Sequence, residues 1–373
     1  MMRKIKIGAK YIGDGEPTFI IAEAGSNHNG NLGQAKKLID AAADAEADAV
    51  KFQLFKAEML YPENCGFIEM QNAKVDFFDI LKKMELPLEW LGILKEYSEK
   101  KSLVFLCSCF DEESAESLEN IGIKAHKLAS PELNHIPLLE YLAKKKKPII
   151  MSAGISKLGD IEEAIDTCYD RGNKDVVLLH CVSAYPTPIE DCNLNVLKTL
   201  KQAFDLPVGF SDHTLDPIIA PVSAAAIHVN VIEKHFTLSK KLDGPDHFFA
   251  LEPLELKKMV REIRNVEKTK DRLAYAQNLI GRKNLDTVLG IYRKIIAPSE
   301  CDIYPNDKRS IHAIRNIKKG EILSNENIRV LRSERNLNAG IHPRFYKLVM
   351  GKIVNRDISY GRGIVWEDLL NGG

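Results

Sequence analysis

Eight short apolar runs recur along the first 235 residues, separated by stretches with helical spacing. They are Phe19–Ala24, Ala49–Gln53, Leu103–Ser108, Ala125–Ala129, Pro148–Ser152, Val176–Cys181, Val208–Ser211 and Val231–His235. Strands covered on both faces need such unbroken apolar character, which is the condition of a parallel sheet. In the intervening stretch "LGQAKKLIDAAADAEA", Leu32, Ala35, Leu38, Ile39 and Ala42 form one amphipathic stripe. "DEESAESLENIG" opens with acids and closes on Gly122, as helix ends prefer. "ELKKMVREIRNVEKTKDRL" reads as a late helix after the eighth run. Eight strands alternating with helices predict an α/β fold, a (β/α)8 TIM barrel. The rival is an open doubly wound sheet, whose usual phosphate loop is GxGxxG; "AGSNHNGNLG" does not fit it.

The barrel is expected over residues 1–275. The next stretch, 276–308, has no regular period and reads as a linker. From Arg309 short β-like pieces alternate with Lys-Lys-Gly and Tyr-Gly-Arg-Gly turns, predicting a small β-rich domain over 309–373. A unit of that size is near the lower limit for a self-sufficient core, so it is expected to pack on something larger. Acids and bases balance at 52 each, without the basic excess of a nucleic-acid partner. No apolar run approaches the ~18 residues of a membrane span, and no signal core follows "MMRKIKIGAKYIGDG". The expected compartment is the cytoplasm. Seven scattered cysteines argue against a disulfide framework, and Cys107 and Cys109 read as core or pocket-wall thiols. Lys144–Lys147 reads as a solvated turn at the bottom of the barrel.

Chemistry in such a barrel sits at the C-terminal ends of the strands. Reading those ends in turn collects Glu23, Asn27 and His28; Lys51 and Gln53; Ser108 and Phe110; Lys127, Ser130 and Glu132; Ser152; Ser183 and Tyr185; Ser211, Asp212 and His213; then Glu233, Lys234 and His235, followed by Asp243, Asp246 and His247. Every strand thus sends polar residues to one rim. Lys51 and Lys127, with the hydroxyls of Ser108, Ser130, Ser152 and Ser211, suit a small anion such as phosphate or carboxylate. His213 and His235 end neighbouring strands; together they can hold a divalent metal, although a lone histidine would read as structural. Glu23, Glu132 and Asp246 remain for hydroxyls or proton transfer. His28 is left between packing and catalysis. Three classes fit these residues: a metal-assisted condensation using phosphoenolpyruvate, a Schiff-base aldolase with Lys127 or Lys51 as nucleophile, and a non-catalytic regulator that binds a sugar acid.

The segments "FIIAEAGSNHNG", "ADAVKFQ", "HKLAS", "IMSAG", "AYPTP", "GFSDHT" and "EKHFTL…DGPDH" together resemble the sialic acid synthase family. Its members condense phosphoenolpyruvate with an N-acetylated sugar to make nine-carbon sugar acids. The tail beginning "RSIHAIRNIKKGEILSNENI" resembles that family's antifreeze-like SAF domain, a β-clip fold. "GIHPRFY" and "GIVWEDLL" resemble the spore-coat polysaccharide synthase branch. The resemblance implies that His213 and His235 hold the metal, usually manganese (Mn2+), with magnesium or cobalt as substitutes. It implies phosphoenolpyruvate at Lys51, Ser108, Lys127, Ser130, Ser152, Ser183 and Ser211. Glu23 is implied to be catalytic, stabilising charge at C2 of phosphoenolpyruvate and helping to activate water. The acceptor sugar, N-acetylmannosamine or a diacetylated relative, would face Gln53, Glu132, Tyr185, Asp246 and Arg332. The resemblance also implies a homodimer in which one subunit's tail caps its partner's barrel. Two departures bear on ligand recognition. Some members have asparagine where Ser183 stands, and "RSERNLNAG" replaces the usual Arg-Pro-Gly, so that Arg335 could substitute for Arg332.

Overall fold

Hydrogen bonding between neighbouring strands closes the apolar runs into one parallel barrel. The computed structural model describes residues 4–70, 73–304, 307–333 and 337–369. A hairpin of β1 (Ile5–Ile7) and β2 (Lys10–Ile12) comes first. The barrel opens with β3 (Phe19–Gly25) and β4 (Ala49–Leu54). An antiparallel hairpin, β5 (Phe67–Met70) and β6 (Ala73–Asp76), and a helix over Phe77–Met84 are inserted next. The barrel then continues through β7 (Val104–Cys109), β8 (His126–Leu128), β9 (Ile149–Ser152), β10 (Val176–Cys181), β11 (Val208–Asp212) and β12 (Val231–His235). Pairing of β12 with β3 completes the circle. The insertion is absent from the sequence reading, because its strands are four residues each, too short for a period to show.

Side chains alternate across a strand, and here the alternation sorts two cores. One parity faces the helices: Ile20, Ala22, Val50, Phe52, Phe105 and Cys107 pack with Ala35, Leu38, Ile39 and Ala42 of the helix Leu32–Asp44. Cys107 and Cys109 both fall on this side, so they are core thiols and not part of a pocket wall. The other parity fills the barrel. At its lower end Phe19, Ile21, Ala49, Leu106, Ala125, Ile150, Val177, Leu179 and Val231 meet Ile5, Ile7 and Ile12, which plug the bottom. Higher up, the same inward parity turns polar. Local signals act as expected: Asn31 caps the helix Leu32–Asp44, and Asp111 accepts from the Ser114 amide at the start of Glu112–Asn120.

The stretch read as a linker is partly helical. Helices Arg272–Ile280 and Arg282–Leu289 send Ala276, Leu285 and Val288 into the main core. Their apolar stripes are too short to stand out as a period. The rest of the stretch is tied down by Glu300, fully buried, whose Oε1 accepts from the Ile155 and Ser183 amides, each at 2.7 Å.

The tail pairs β13 (Arg309–Ala313) with β14 (Ile328–Arg332) around Ile311, Ile317, Leu323, Ile328, Val354, Ile358 and Ile364. It seats on the barrel through Lys308–Asp160 at 2.8 Å and Arg344–Glu163 at 2.7 Å. Within the chain the tail lies over the barrel's rim, its approach held by Glu300 and Lys308. Among the described residues no helix is long and apolar enough to cross a membrane.

Gly209 lies on the inward parity of β11, where an added Cβ would stand 2.5 Å from the Val231 carbonyl oxygen and 2.6 Å from Leu179. Gly209→Ala is expected to cost about 1–3 kcal/mol by overpacking, read as a lower urea midpoint with unchanged m-value.

Candidate active site

Four buried charges meet above the apolar plug. Lys51 Nζ lies 2.8 Å from Glu23 Oε2 and 3.8 Å from Glu233 Oε2, and it donates to Ser108 Oγ at 3.0 Å. Lys127 Nζ lies 3.6 Å from Glu233 Oε1 and donates to Ser152 Oγ at 2.8 Å. Ser211 donates to Glu233 at 2.9 Å, and Gln53 donates to Glu23 at 2.7 Å. Two carboxylates and two ammonium groups sum to zero, which makes their burial tolerable.

The environment separates the two carboxylates. Burial pushes Glu23 above the usual range, and Glu233 adds to the rise, while Lys51 opposes it. Burial would raise Glu233 too, but Lys127 and Lys51 more than offset this and hold it low. Lys127 is lowered by burial, with Glu233 opposing. Burial also works against Lys51, but Glu23 and Glu233 reverse it and keep it raised. Carboxyl groups pushed apart in this way take different acid–base roles. Glu23 is the one closer to carrying a proton.

Hydroxyls gather beside this network. The Gly154 amide donates to Ser130 Oγ at 2.9 Å. A Cβ on Gly154 would lie 2.3 Å from Ser183 Oγ and 2.9 Å from Ser130 Oγ, so this bend stays open only because the residue is glycine. Ser183 Oγ is buried with no hydrogen-bond partner among the described residues. Hydroxyls and a backbone bend beside two ammonium groups make a cradle for a small anion.

The two imidazoles stand with ring centroids 5.4 Å apart. His213 Nδ1 is 2.7 Å from the Val182 carbonyl oxygen. A carbonyl can only accept, so the proton sits on Nδ1 and the lone pair on Nε2, with the Cys181 thiol 3.9 Å away. His235 Nδ1 is buried with no hydrogen-bond partner and lies 4.0 Å from Asp246 Oδ2. Burial lowers both histidines and favours neutral imidazole, while it raises Asp246 to about 6. This donor set fits a divalent cation that takes its remaining ligands from water or substrate. Among the described residues no group of three or more His, Cys, Asp or Glu forms a closed metal cage. Behind the imidazoles, Lys234 pairs with Asp212 at 2.7 Å and fixes the strand ends that carry them.

The polar loop after β3 braces the loop after β12. Asn27 Nδ2 donates to the Phe236 carbonyl at 2.8 Å, and Asn29 Nδ2 donates to the Asp243 carbonyl at 2.9 Å. His247 Nε2 donates to Asn29 Oδ1 at 3.1 Å, which leaves its Nδ1 to accept from Thr237 at 2.6 Å. His28 takes no part. It is fully buried, edge-on to Trp90 at 5.8 Å, and its Nδ1 accepts from the Gly30 amide at 3.1 Å, so it packs and holds the turn of its own loop.

A cavity of about 950 Å³ opens above, lined by Gln53, Ser183, Tyr185, His235, Asp246 and Arg332, with Phe67, Phe77, Ile80 and Met84 of the insertion forming an apolar wall. Tyr185 stacks on His213 with centroids 4.1 Å apart. Among the residues expected at the site, Glu23, Lys51, Ser108, Lys127, Ser152 and Ser211 converge in the charged network, and Ser130 and Ser183 in the cradle. Glu132 does not line the cavity; it is fully buried beneath Arg332, whose Nη2 donates to it at 2.7 and 2.9 Å. Arg335, the alternative to Arg332, lies outside the described residues. Glu233, collected on the rim from the sequence but given no role there, belongs to the network. Its position two residues before His235 places it on the same inward face, a signal legible in the alternation.

Comparison with known proteins places these features. The NeuB family model matches residues 38–274, and the SAF domain model matches residues 308–370. The spore coat polysaccharide biosynthesis protein SpsE of Bacillus subtilis is 41% identical over 372 residues, covering 99% of this chain and 98% of that protein. Its crystal structure superposes with a TM-score of 0.86 over the full length of both chains, at 40% identity. The N,N'-diacetyllegionaminic acid synthase of Legionella pneumophila is 38% identical over 375 residues, covering 98% of each. The N-acetylneuraminic acid (sialic acid) synthetase of Leptospira borgpetersenii, solved with citrate, is 35% identical with a TM-score of 0.66, covering 76% of this chain and 99% of that one.

Lys51→Met removes the cation that Glu23 and Glu233 share. Breaking a buried ion network in this way costs about 3–5 kcal/mol. Chemical denaturation of the variant is expected to show a loss of that size.

Proposed function

The chain belongs to the NeuB family and ends in an SAF domain, and from that premise we propose that it is a nonulosonate synthase. It condenses phosphoenolpyruvate with the open-chain form of an N-acetylated aldose, giving a nine-carbon sugar acid and inorganic phosphate. One observation supports this reading above the others: Lys51 and Lys127, bonded to the hydroxyls of Ser108 and Ser152, are buried at the same strand ends as Gln53, Ser183 and His235, which line a cavity of about 950 Å³. Relatives named as synthases of legionaminic, pseudaminic and sialic acids support it further.

In this reading Lys51 and Lys127 hold the phosphate and carboxylate of phosphoenolpyruvate, with Ser108, Ser130, Ser152, Ser183 and Ser211 as hydrogen-bond donors. Gln53, Tyr185, Asp246 and Arg332 face the acceptor. His213 and His235 would hold a divalent metal, manganese in our reading, which supplies Lewis acidity to the aldehyde oxygen. C3 of phosphoenolpyruvate forms a bond to the aldehyde carbon, and the aldehyde oxygen becomes a hydroxyl. Water adds at C2, and the resulting tetrahedral centre breaks its C–O bond to release phosphate. Glu23, already raised by burial, handles the proton of that water and shields the developing positive charge at C2. Among the described residues the lining lysine and arginine are Lys74 and Arg332, and Arg332 is engaged by Glu132, which favours an unphosphorylated acceptor over a phosphorylated one. A homodimer and a cytoplasmic location belong to the same reading.

The deciding measurement is phosphate release from phosphoenolpyruvate with a panel of N-acetylated aldoses, after chelation and after adding manganese back. Release that needs both one sugar and the metal is the expected result. Phosphoenolpyruvate bound by calorimetry but never consumed would favour a binding protein, and a borohydride-trapped lysine adduct would favour the aldolase. Glu23→Gln is expected to keep phosphoenolpyruvate affinity and lose about 10²–10⁴ in kcat; near-normal turnover would remove Glu23 from the chemistry.

A further inference from the structure

The tail delivers a second arginine to the rim. Arg309 opens β13 and is 1% exposed. Its Nε donates to Glu132 Oε1 at 3.0 Å, its Nη1 to the carbonyls of Met59 at 2.7 Å and Val330 at 3.2 Å, and its Nη2 to the carbonyl of Phe110 at 3.1 Å. Met59, Phe110 and Glu132 lie beyond the ends of β4, β7 and β8. One guanidinium therefore ties three successive rim loops to β14. Glu132 in turn accepts from Arg332, through Nε at 3.1 Å and Nη2 at 2.7 Å. Only then does Arg332 reach the cavity wall.

We propose that Arg309 is a positioning residue for acceptor recognition. It fixes Glu132, and Glu132 fixes the Arg332 guanidinium at the cavity, so that docking of the tail and completion of the acceptor site are one event. The proposal rests on the reading of Arg332 as an acceptor contact. It gives Glu132 a different role from the one the resemblance implied, since Glu132 has both oxygens engaged by arginines and does not reach the sugar cavity. A buried charge cluster of this kind contributes little net stability against an apolar substitute, but it specifies one geometry. The planar fork is what the role requires, because four acceptors in fixed directions cannot be met by one ammonium group.

The test uses the full chain and the variants Arg309→Lys, Glu132→Gln and Arg332→Ala. Apparent KM for acceptor and for phosphoenolpyruvate is measured, together with hydrogen exchange of β13 and β14 in the absence of ligand. Arg309→Lys is expected to raise the acceptor KM by about 10-fold or more, the loss of a charged hydrogen bond, and to leave that of phosphoenolpyruvate within about 2-fold. Exchange in β13 and β14 should quicken, and Arg332→Ala should reproduce the split in KM. An Arg309→Lys protein with wild-type acceptor KM and wild-type exchange overturns the proposal, as does one that raises both constants equally. If Arg309→Lys does not fold, Glu132→Gln must show the same split, and its absence is equally decisive against it. If the wild type consumes no acceptor, the proposed function fails on its own; exchange still judges the clamp, and unchanged protection in Arg309→Lys overturns it.

Discussion

The ion pairing of Lys51 with Glu23 and Glu233 is the constraint on which the upper half of the barrel rests. A charge in such an interior is stable only beside its opposite, and each member of the network comes from a different strand. The four side chains can meet only if β3, β4, β8 and β12 hold their register to the residue. A slip of one position would turn each charge into the helix-facing core. The apolar plug below supplies that register, because Phe19, Ile21, Ala49 and Val231 share the same parity as the charges above them. Packing at the bottom and chemistry at the top are two ends of one alternation.

Around this floor the rim is assembled from parts remote in the chain. The loop after β3 and the loop after β12 are joined through Asn29, His247 and Thr237, which places Asp246 beside His235. The opposite side is built differently, by the tail. Arg309 and Arg332 converge on Glu132, and Glu300 holds the approach to the tail against the backbone that carries Ser183. The cavity is thus closed on one side by the barrel's own loops and on the other by a second domain. The inserted hairpin and helix add a mostly apolar wall of Phe67, Phe77, Ile80 and Met84, to which Lys74 contributes one charge.

The inward polar residues were legible because they fall at the C-terminal ends of strands that the sequence marks plainly. Glu23, Lys51, Lys127 and His235 could be assigned to one rim from the barrel pattern alone. Glu233 was placed on the same rim but given no role, because its partners Lys51 and Lys127 sit on other strands and no local pattern shows the contact. The helices after residue 270 were read as linker, because a short stripe such as Ala276, Leu285 and Val288 becomes visible only when its partner surface is known. Arg309 gave no signal at all. An arginine at the start of a strand is ordinary, and its partner Glu132 lies 177 residues away in the chain.

By itself the sequence determined the periodicity, and with it the strand count, the closed parallel barrel, the small β-rich tail and the rim on which polar residues gather. These follow from local spacing, since alternation and helical stripes are properties of near neighbours. Only the tertiary structure decided which polar residues touch. It set Glu132 beneath two arginines and out of the cavity, His28 in the packing and out of the chemistry, and Glu233 between the two lysines. The physical reason is that charge pairing depends on distance through space, and burial makes a few ångströms worth more than any spacing along the chain.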